Sequence, residues 1–256
     1  MPRTILITGA SSGIGRALAL RYAGEGARLA LLGRDEARLR AVADECRKLG
    51  GHPMHAPIDV REQSTLADWI QSLDRETPVA LVIANAGQMT GTPPGGQIEA
   101  AVAAREIVET NLLGVMNTVQ PLLAPMMARR RGQIAIVSSL AAFLPLPDSP
   151  SYCASKSAVL NYGLALRTLL APYRVGVTVV CPGYIDTPMM QRESGAKPFK
   201  MTADRAAAII ANGLRRNPAL LAFPFWLAWA TRLHGVLPDA LRGRLLRSMR
   251  FTVSDA

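Results

Sequence analysis

Tyr152 and Lys156 stand four residues apart in the segment 150–156 (PSYCASK), and Ser139 lies thirteen residues before the tyrosine. Helix positions four apart share one face, so a lysine ammonium there can lie beneath the phenol. Free tyrosine ionises near pH ~10. A unit positive charge ~4 Å away, at an effective dielectric of ~20, favours the phenolate by about 4 kcal/mol, or roughly three pKa units. Such a phenol can give or take a proton near neutral pH. The Ser139 hydroxyl could hydrogen-bond a substrate oxygen as charge develops on it. Together the three side chains could reduce a carbonyl, given a hydride donor beside them. The same spacing also fits an ordinary amphipathic helix, so the reading depends on the rest of the chain.

A place for a hydride carrier is written at the N-terminus. Residues 3–8 (RTILIT) read as a short buried strand. Gly9, Gly13 and Gly15 follow, with Ser11, Ser12 and Ile14 between them, and a helical stretch then runs to Gly26. Strand, glycine-rich turn and helix form a dinucleotide-binding unit. Glycines permit the tight turn and let the backbone approach a pyrophosphate, and the helix N-terminus offers unpaired N–H groups with partial positive charge. The spacing is G-x-x-x-G-x-G, and on its own such a loop is also compatible with a structural turn.

Taken together, these residues resemble the short-chain dehydrogenase/reductase family, over roughly residues 4–187. Thr8 to Gly15 (TGASSGIG) looks like the family's cofactor turn. Asp59-Val60 matches the pair whose acid contacts the adenine, and Asn85-Ala86-Gly87 matches a motif after the fourth strand. Asn111 matches a fourth catalytic residue, credited with holding a water in the proton relay. The spacing to Tyr152 selects Ser139 over Ser138 as the catalytic serine. Pro182, Gly183, Ile185 and Thr187 match the segment that cups the nicotinamide. Ala84 departs from the pattern, where many members carry an asparagine. The resemblance implies that Tyr152 donates or accepts the proton while Lys156 holds both the phenol and the nicotinamide ribose. It also implies a homo-oligomer built through the helices containing Asn111 and Tyr152.

Cofactor choice turns on the end of the second strand, residues 28–32 (RLALL), followed by Gly33, Arg34 and Asp35. NAD-binding relatives place an acid at the strand end. Here Gly33 stands there, so no carboxylate repels a 2′-phosphate, and the Arg34 guanidinium suits phosphate. NADP(H) is therefore expected over NAD(H). Asp35 is expected to cap the next helix.

The elements that must position these groups alternate. Strands are expected at 3–8, 28–32, 53–57, 79–84, 133–138 and 175–181, with 219–223 a possible seventh. Helices are expected at 14–25, 35–49, 62–76, 98–129 with a break near 110, 151–171 and 202–216. This is an α/β pattern: a Rossmann-like, doubly wound parallel sheet of about seven strands with helices on both faces. Ligands of such sheets bind at the carboxyl ends of the strands, and the glycine turn, Asn85, Ser139 and Pro182 all follow strand ends. The 256 residues, 49% apolar, suffice for one domain with one large core. Cys46, Cys153 and Cys181 have no metal-ligand spacing, so no metal is expected. The chain enters a strand almost at once, leaving no room for a targeting segment, and a cytoplasmic enzyme is expected.

The substrate is expected to be a small hydrophobic carbonyl or alcohol. Residues 141–147 (AAFLPLP), beginning with Ala141, and Tyr184, Met189 and Met190 are mostly apolar and include no obvious charged anchor. Residues 188–204 lack periodicity and read as a lid. Residues 224–256 form a basic, amphipathic extension, in which aromatics beside arginines resemble an interfacial segment. Peripheral membrane contact is one reading of it, and packing on the enzyme or a partner subunit is the other. The net charge of +10 raises nucleic acid as a partner. No RNA-binding aromatic motif or zinc spacing accompanies it, so none is expected. A non-catalytic NADPH-binding regulator on the same fold is the alternative to an enzyme.

Overall fold

The computed structural model describes residues 3–95, 98–233 and 251–253, with Pro238, Leu241, Gly243 and Leu246. Most of the arginine-rich stretch expected at 238–250 lies outside these residues. The first half of the chain runs β1 (Thr4–Thr8), α1 (Gly13–Ala23), β2 (Arg28–Leu32), α2 (Glu36–Lys48), β3 (His52–Ala56), α3 (Gln63–Glu76) and β4 (Val79–Ala84). The second half runs α4 (Ala101–Val108), α5 (Gly114–Ala128), β5 (Gly132–Val137), α6 (Pro150–Leu170), β6 (Val175–Pro182), β7 (Ile185–Asp186), α7 (Pro188–Gln191), β8 (Met201–Thr202), α8 (Ala203–Arg216), β9 (Leu220–Phe223) and α9 (Phe225–Leu233).

Seven strands form one sheet in the order β3-β2-β1-β4-β5-β6-β9, and every pairing is parallel. The central strands are buried on both faces, as continuous apolar runs such as β1 require. Their side chains alternate between two cores. Ile5, Ile7, Leu29, Leu31, Leu81 and Ile83 face α1, α2 and α8. Leu6, Ala30, Leu32, Val82 and Ala84 face α3, α5 and α6. The strand order reverses between β1 and β4, which opens a crevice at their carboxyl ends.

Local signals set the helix ends. Asp35 caps α2 by accepting from Arg38 N at 2.9 Å, as expected. Thr202 caps α8 by accepting from Arg205 N at 3.2 Å, and Asn217 closes it in the left-handed conformation. The break expected near residue 110 is a π-helical turn, Glu109–Leu113, which carries fully buried Asn111 between α4 and α5. The basic run 129–131 is structural in part. Arg129 donates to buried Asp74 at 2.6 Å and to the carbonyl of Val79 at 2.8 Å, tying the end of α5 to the start of β4.

Two segments carry more order than the sequence signals. The segment 188–204 contains the short helix α7, and its far end returns as β8 to pair with β7. The Thr187 cap accepting from Met190 N at 3.3 Å, and the backbone pairing, supply order that side-chain periodicity did not signal. The stretch from 224 begins with α9, which sends Leu227 and Ala228 into a cluster with Leu140, Leu160 and Cys181. Its other face leaves Phe225, Trp226, Trp229 and Leu233 exposed. On the helices expected to form an oligomer, Val102, Val108, Leu113 and Leu169 are exposed. No helix among the described residues is long and apolar enough to cross a membrane.

Candidate active site

The crevice at the strand ends is a cavity of about 300 Å³. Its floor begins at the first turn. Gly9 has a φ of +65°, and a Cβ there would lie 2.9 Å from the backbone of Ala86, so the turn can approach β4 only with glycine. Thr8 and Asn85 hold the approach. The Thr8 hydroxyl accepts from Asn85 N at 3.0 Å and Ala86 N at 3.1 Å. The Asn85 amide in turn donates to the carbonyls of Thr8 at 3.0 Å and Gly9 at 3.3 Å. Ser12 precedes α1 without a side-chain cap, and the first turn holds no acid. The N–H groups there, with their partial positive charge, remain available to an anion.

Of the residues expected to bind a cofactor, Gly9, Ser11, Ser12, Gly13, Ile14, Arg34, Asp59, Val60, Asn85, Ala86, Gly87, Pro182, Gly183, Ile185 and Thr187 line this one cavity. Gly15 lies behind it. A Cβ on Gly15 would meet the Gly9 carbonyl oxygen at 2.2 Å, so its glycine serves close packing of α1 on the turn. Asp59 forms a salt bridge with Arg61 at 2.7 Å. Burial pushes the Asp59 carboxyl up, but hydrogen bonds and charge from Arg61, with the charge of Arg34, leave it below its usual value. Arg34 itself stands exposed at the rim.

The reactive end is built by β5 and α6. Proline at the first position starts α6, and one turn later Tyr152 and Lys156 face the cavity together with Ser139. Ser138 points the other way, donating to the carbonyl of Lys156 at 2.7 Å. That bond fixes α6 against the end of β5. The Ser139 hydroxyl accepts from Ala141 N at 3.1 Å and lines the same cavity as the phenol. The Lys156 ammonium donates to the carbonyl of Val137 at 3.1 Å and sits 5.7 Å from the centre of the Tyr152 ring. Asn111 lies behind the wall. Its amide donates to the Gln88 carbonyl at 2.9 Å and to Ser155 Oγ at 3.1 Å, and its oxygen accepts from Gln88 N at 2.7 Å.

The electrostatic balance differs from the expectation of an acidified phenol. Burial pushes Tyr152 up to about 12, with the Ser139 hydrogen bond opposing it. Burial also pushes Lys156 down to about 8. Both shifts have burial as their first cause, which disfavours the charged form of each group.

The outer half of the cavity is mostly apolar, with Ala141, Leu144, Leu146, Met189 and Met190 joined by Tyr184. Leu227 and Thr231 of α9 and Met89 also line it. They were not expected, because nothing local in the sequence marks a residue that packing alone brings to a site. Glu193 also lines the cavity, 6% exposed, so the expectation of a wall without a charged anchor is overturned. It came from an aperiodic stretch in which an acid reads as solvated. Residues 251–253 close this side. Phe251 and Val253 pack with Met89 against Leu146, Tyr152 and Met189.

A family model described as "short chain dehydrogenase" matches residues 3–197. The chain belongs to the short-chain dehydrogenase family. It is thus an oxidoreductase on a Rossmann-like fold, as its strand order and cavity imply. An uncharacterized oxidoreductase of Myxococcus xanthus is 35% identical over 97% of this chain and 98% of its own length. An 11-beta-hydroxysteroid dehydrogenase-like protein of Arabidopsis thaliana is 31% identical over 93% of this chain and 78% of its own. Among solved structures, a short-chain dehydrogenase from Sphingobium yanoikuyae in complex with NADPH superposes with a TM-score of 0.78. It is 26% identical and covers 98% of this chain and 97% of its own.

Glu193 sets a pH dependence. Burial pushes its carboxyl from 4.5 up to about 7, with Lys197 opposing. The folded protein therefore holds this proton more tightly than the unfolded chain, and stability falls as pH rises from 4.5 towards 7. Glu193→Gln should melt increasingly above the parent between pH ~5 and ~7.5, by up to about 3 kcal/mol. A melting difference that stays constant across that range would refute this assignment.

Proposed function

We propose that this protein interconverts a carbonyl and an alcohol on a hydrophobic substrate, using NADP(H). The observation that carries the reading is one cavity lined by the glycine turn, Arg34, Ser139, Tyr152 and Lys156. The dinucleotide fits the residues present: a glycine cradle without room for Cβ atoms, an uncapped helix N-terminus, and Asp59 at the adenine end. When bound, it supplies the hydride.

The chain's own groups do the rest. Ser139 orients the substrate oxygen against Tyr152, whose side chain lines the same cavity. Tyr152, held protonated by burial, gives its proton to that oxygen as it becomes an alkoxide, which is a far stronger base than a phenolate. Lys156 supplies a desolvated positive charge beside the ring and donor hydrogens toward the ribose. Asn111 acts as a positioning residue, pinning the loop at Gln88 to α6 through Ser155. Removing the phenol oxygen should therefore stop turnover and leave cofactor binding intact. Tyr152→Phe is expected to lower kcat at least about a hundredfold with NADPH affinity within a few-fold of the parent. That result also separates an enzyme from a nucleotide-binding regulator. Turnover retained by the variant would sink the reading.

The preference for NADP(H) rests on Arg34 and Gly33, since solved neighbours of the fold hold either NADPH or NAD. An exposed guanidinium at the cavity rim, with no carboxylate at the strand end, suits a 2′-phosphate. Arg34→Ala should weaken NADPH by about tenfold or more and NADH hardly at all, as read by fluorescence titration. Equal losses for the two cofactors would remove the assignment.

A second role is favoured by α9. While Leu227, Ala228 and Thr231 face inward, Phe225, Trp226, Trp229 and Leu233 are exposed on its other side. Exposed tryptophans on a chain of net charge +10 suit the surface of an anionic bilayer. Flotation with anionic vesicles should carry the protein up, and Trp226→Ser with Trp229→Ser should abolish it. Failure of the parent to float would discard peripheral membrane contact.

A further inference from the structure

The outer wall of the cavity holds one group that the proposed chemistry does not use. Glu193 follows α7, and its residue is 6% exposed. Among the described residues its carboxyl makes no hydrogen bond and no ion pair. Lys197 is its nearest influence of opposite sign, but that ammonium is hydrogen-bonded to the backbone carbonyl of Glu193. The carboxyl lies close enough to the phenols of Tyr152 and Tyr184 to raise both through its charge. It thus shares the substrate compartment with the reacting end. Its other surroundings are apolar: Leu144, Leu146, Met189 and Met190 line the same space.

The segment is also held in place. Glu193 forms an antiparallel bridge with Val253. Ser194 N donates to the carbonyl of Thr252 at 2.9 Å, and Thr252 N donates to Ser194 Oγ at 2.8 Å. Val253 N donates to the carbonyl of Thr92 at 3.0 Å, and Phe251 N to Asp148 Oδ2 at 3.0 Å. Residues 251–253 therefore fasten the Glu193 segment to the loop at Thr92 and Asp148. With no protein partner, the carboxyl oxygens are open to the cavity that Glu193 lines. A donor on a ligand in that cavity can reach them. Burial holds the carboxyl near 7, which accords with a site short of cations.

We infer that Glu193 is a specificity-determining residue, selecting apolar carbonyl or alcohol substrates that carry a second polar group, a hydroxyl or amine donor away from the reacting carbon. This deepens the proposed function and rests on it. A site built to hydrogen-bond a substrate hydroxyl rejects the analogue lacking it, because the site's own polar group is then left unpaired.

The test uses the full chain, with a series of aryl alkyl ketones bearing a hydroxyl or an amine at successive positions along the alkyl chain. Each is compared with its plain analogue by kcat/KM for NADPH-dependent reduction. At least one donor-bearing ketone should be preferred by the parent about tenfold or more. That ratio should collapse toward one in Glu193→Leu and be partly kept in Glu193→Gln. A merely structural role would lower both members of a pair and leave the ratio alone. A parent without any such preference, or a Glu193→Leu variant that keeps it, overturns the inference. Should no ketone turn over, the reaction assigned above fails by itself. Calorimetric Kd values for the corresponding diols, amino alcohols and plain alcohols then decide the role of Glu193 by the same ratio.

Discussion

An ammonium and a phenol withdrawn from water side by side govern the centre of this molecule. Lys156 is 4% exposed and makes no ion pair among the described residues. Its one protein hydrogen bond in view runs to the Val137 carbonyl. Burying a charge that way is unfavourable, and the lysine answers by losing basicity, down to about 8. The neighbouring phenol answers in the opposite sense, up to about 12. Both shifts share one cause, so they stand or fall with the closure of the cavity. A ligand bringing polar oxygens to the ammonium relieves a strain the protein has already accepted.

The sheet supplies the means of holding that strain. Parallel strands end on one side, and reversal of their order between β1 and β4 leaves a gap there. Thr8 and Asn85 cross-link the two strand ends with four hydrogen bonds, so the gap has fixed width. The Ser138 hydroxyl is engaged by the Lys156 carbonyl and joins helix to strand, while the Ser139 hydroxyl accepts from Ala141 N and is held at the start of the next turn.

Much of this was legible in the chain because the signals are local. The G-x-x-x-G-x-G turn, the Asp35 cap and the four-residue step from Tyr152 to Lys156 are all dictated within a few residues. The central strands followed for the same reason, since apolar runs buried on both faces declare themselves. What stayed hidden depends on packing between distant segments. Glu193 reads as a surface acid until residues 251–253 cover it. Leu227 and Thr231 read as part of a tail until α9 folds over Leu140. The direction of the tyrosine's shift was misjudged on similar grounds. Spacing predicts proximity of charge, but desolvation is a property of the whole surrounding shell, and here it is the larger effect.

That shell has an unequal construction. Its inner half consists of strand ends, whose positions the hydrogen-bonded sheet determines. Its outer half comes from α9, the α7–β8 segment and three residues near the end of the chain. Phe251 and Val253 belong to the cluster that packs on Tyr152, and Val253 carries the bridge to Glu193. The seat of residues 251–253 therefore bears on two groups at once: it helps exclude water from the phenol and holds the carboxyl inside. Loosening that segment would rehydrate both. The phenol would move down toward its ordinary value, and so would the carboxyl, because water stabilises each charged form. The hydration of both groups is in this way tied to one short stretch of backbone hydrogen bonds, remote in sequence from the glycine turn and from Tyr152.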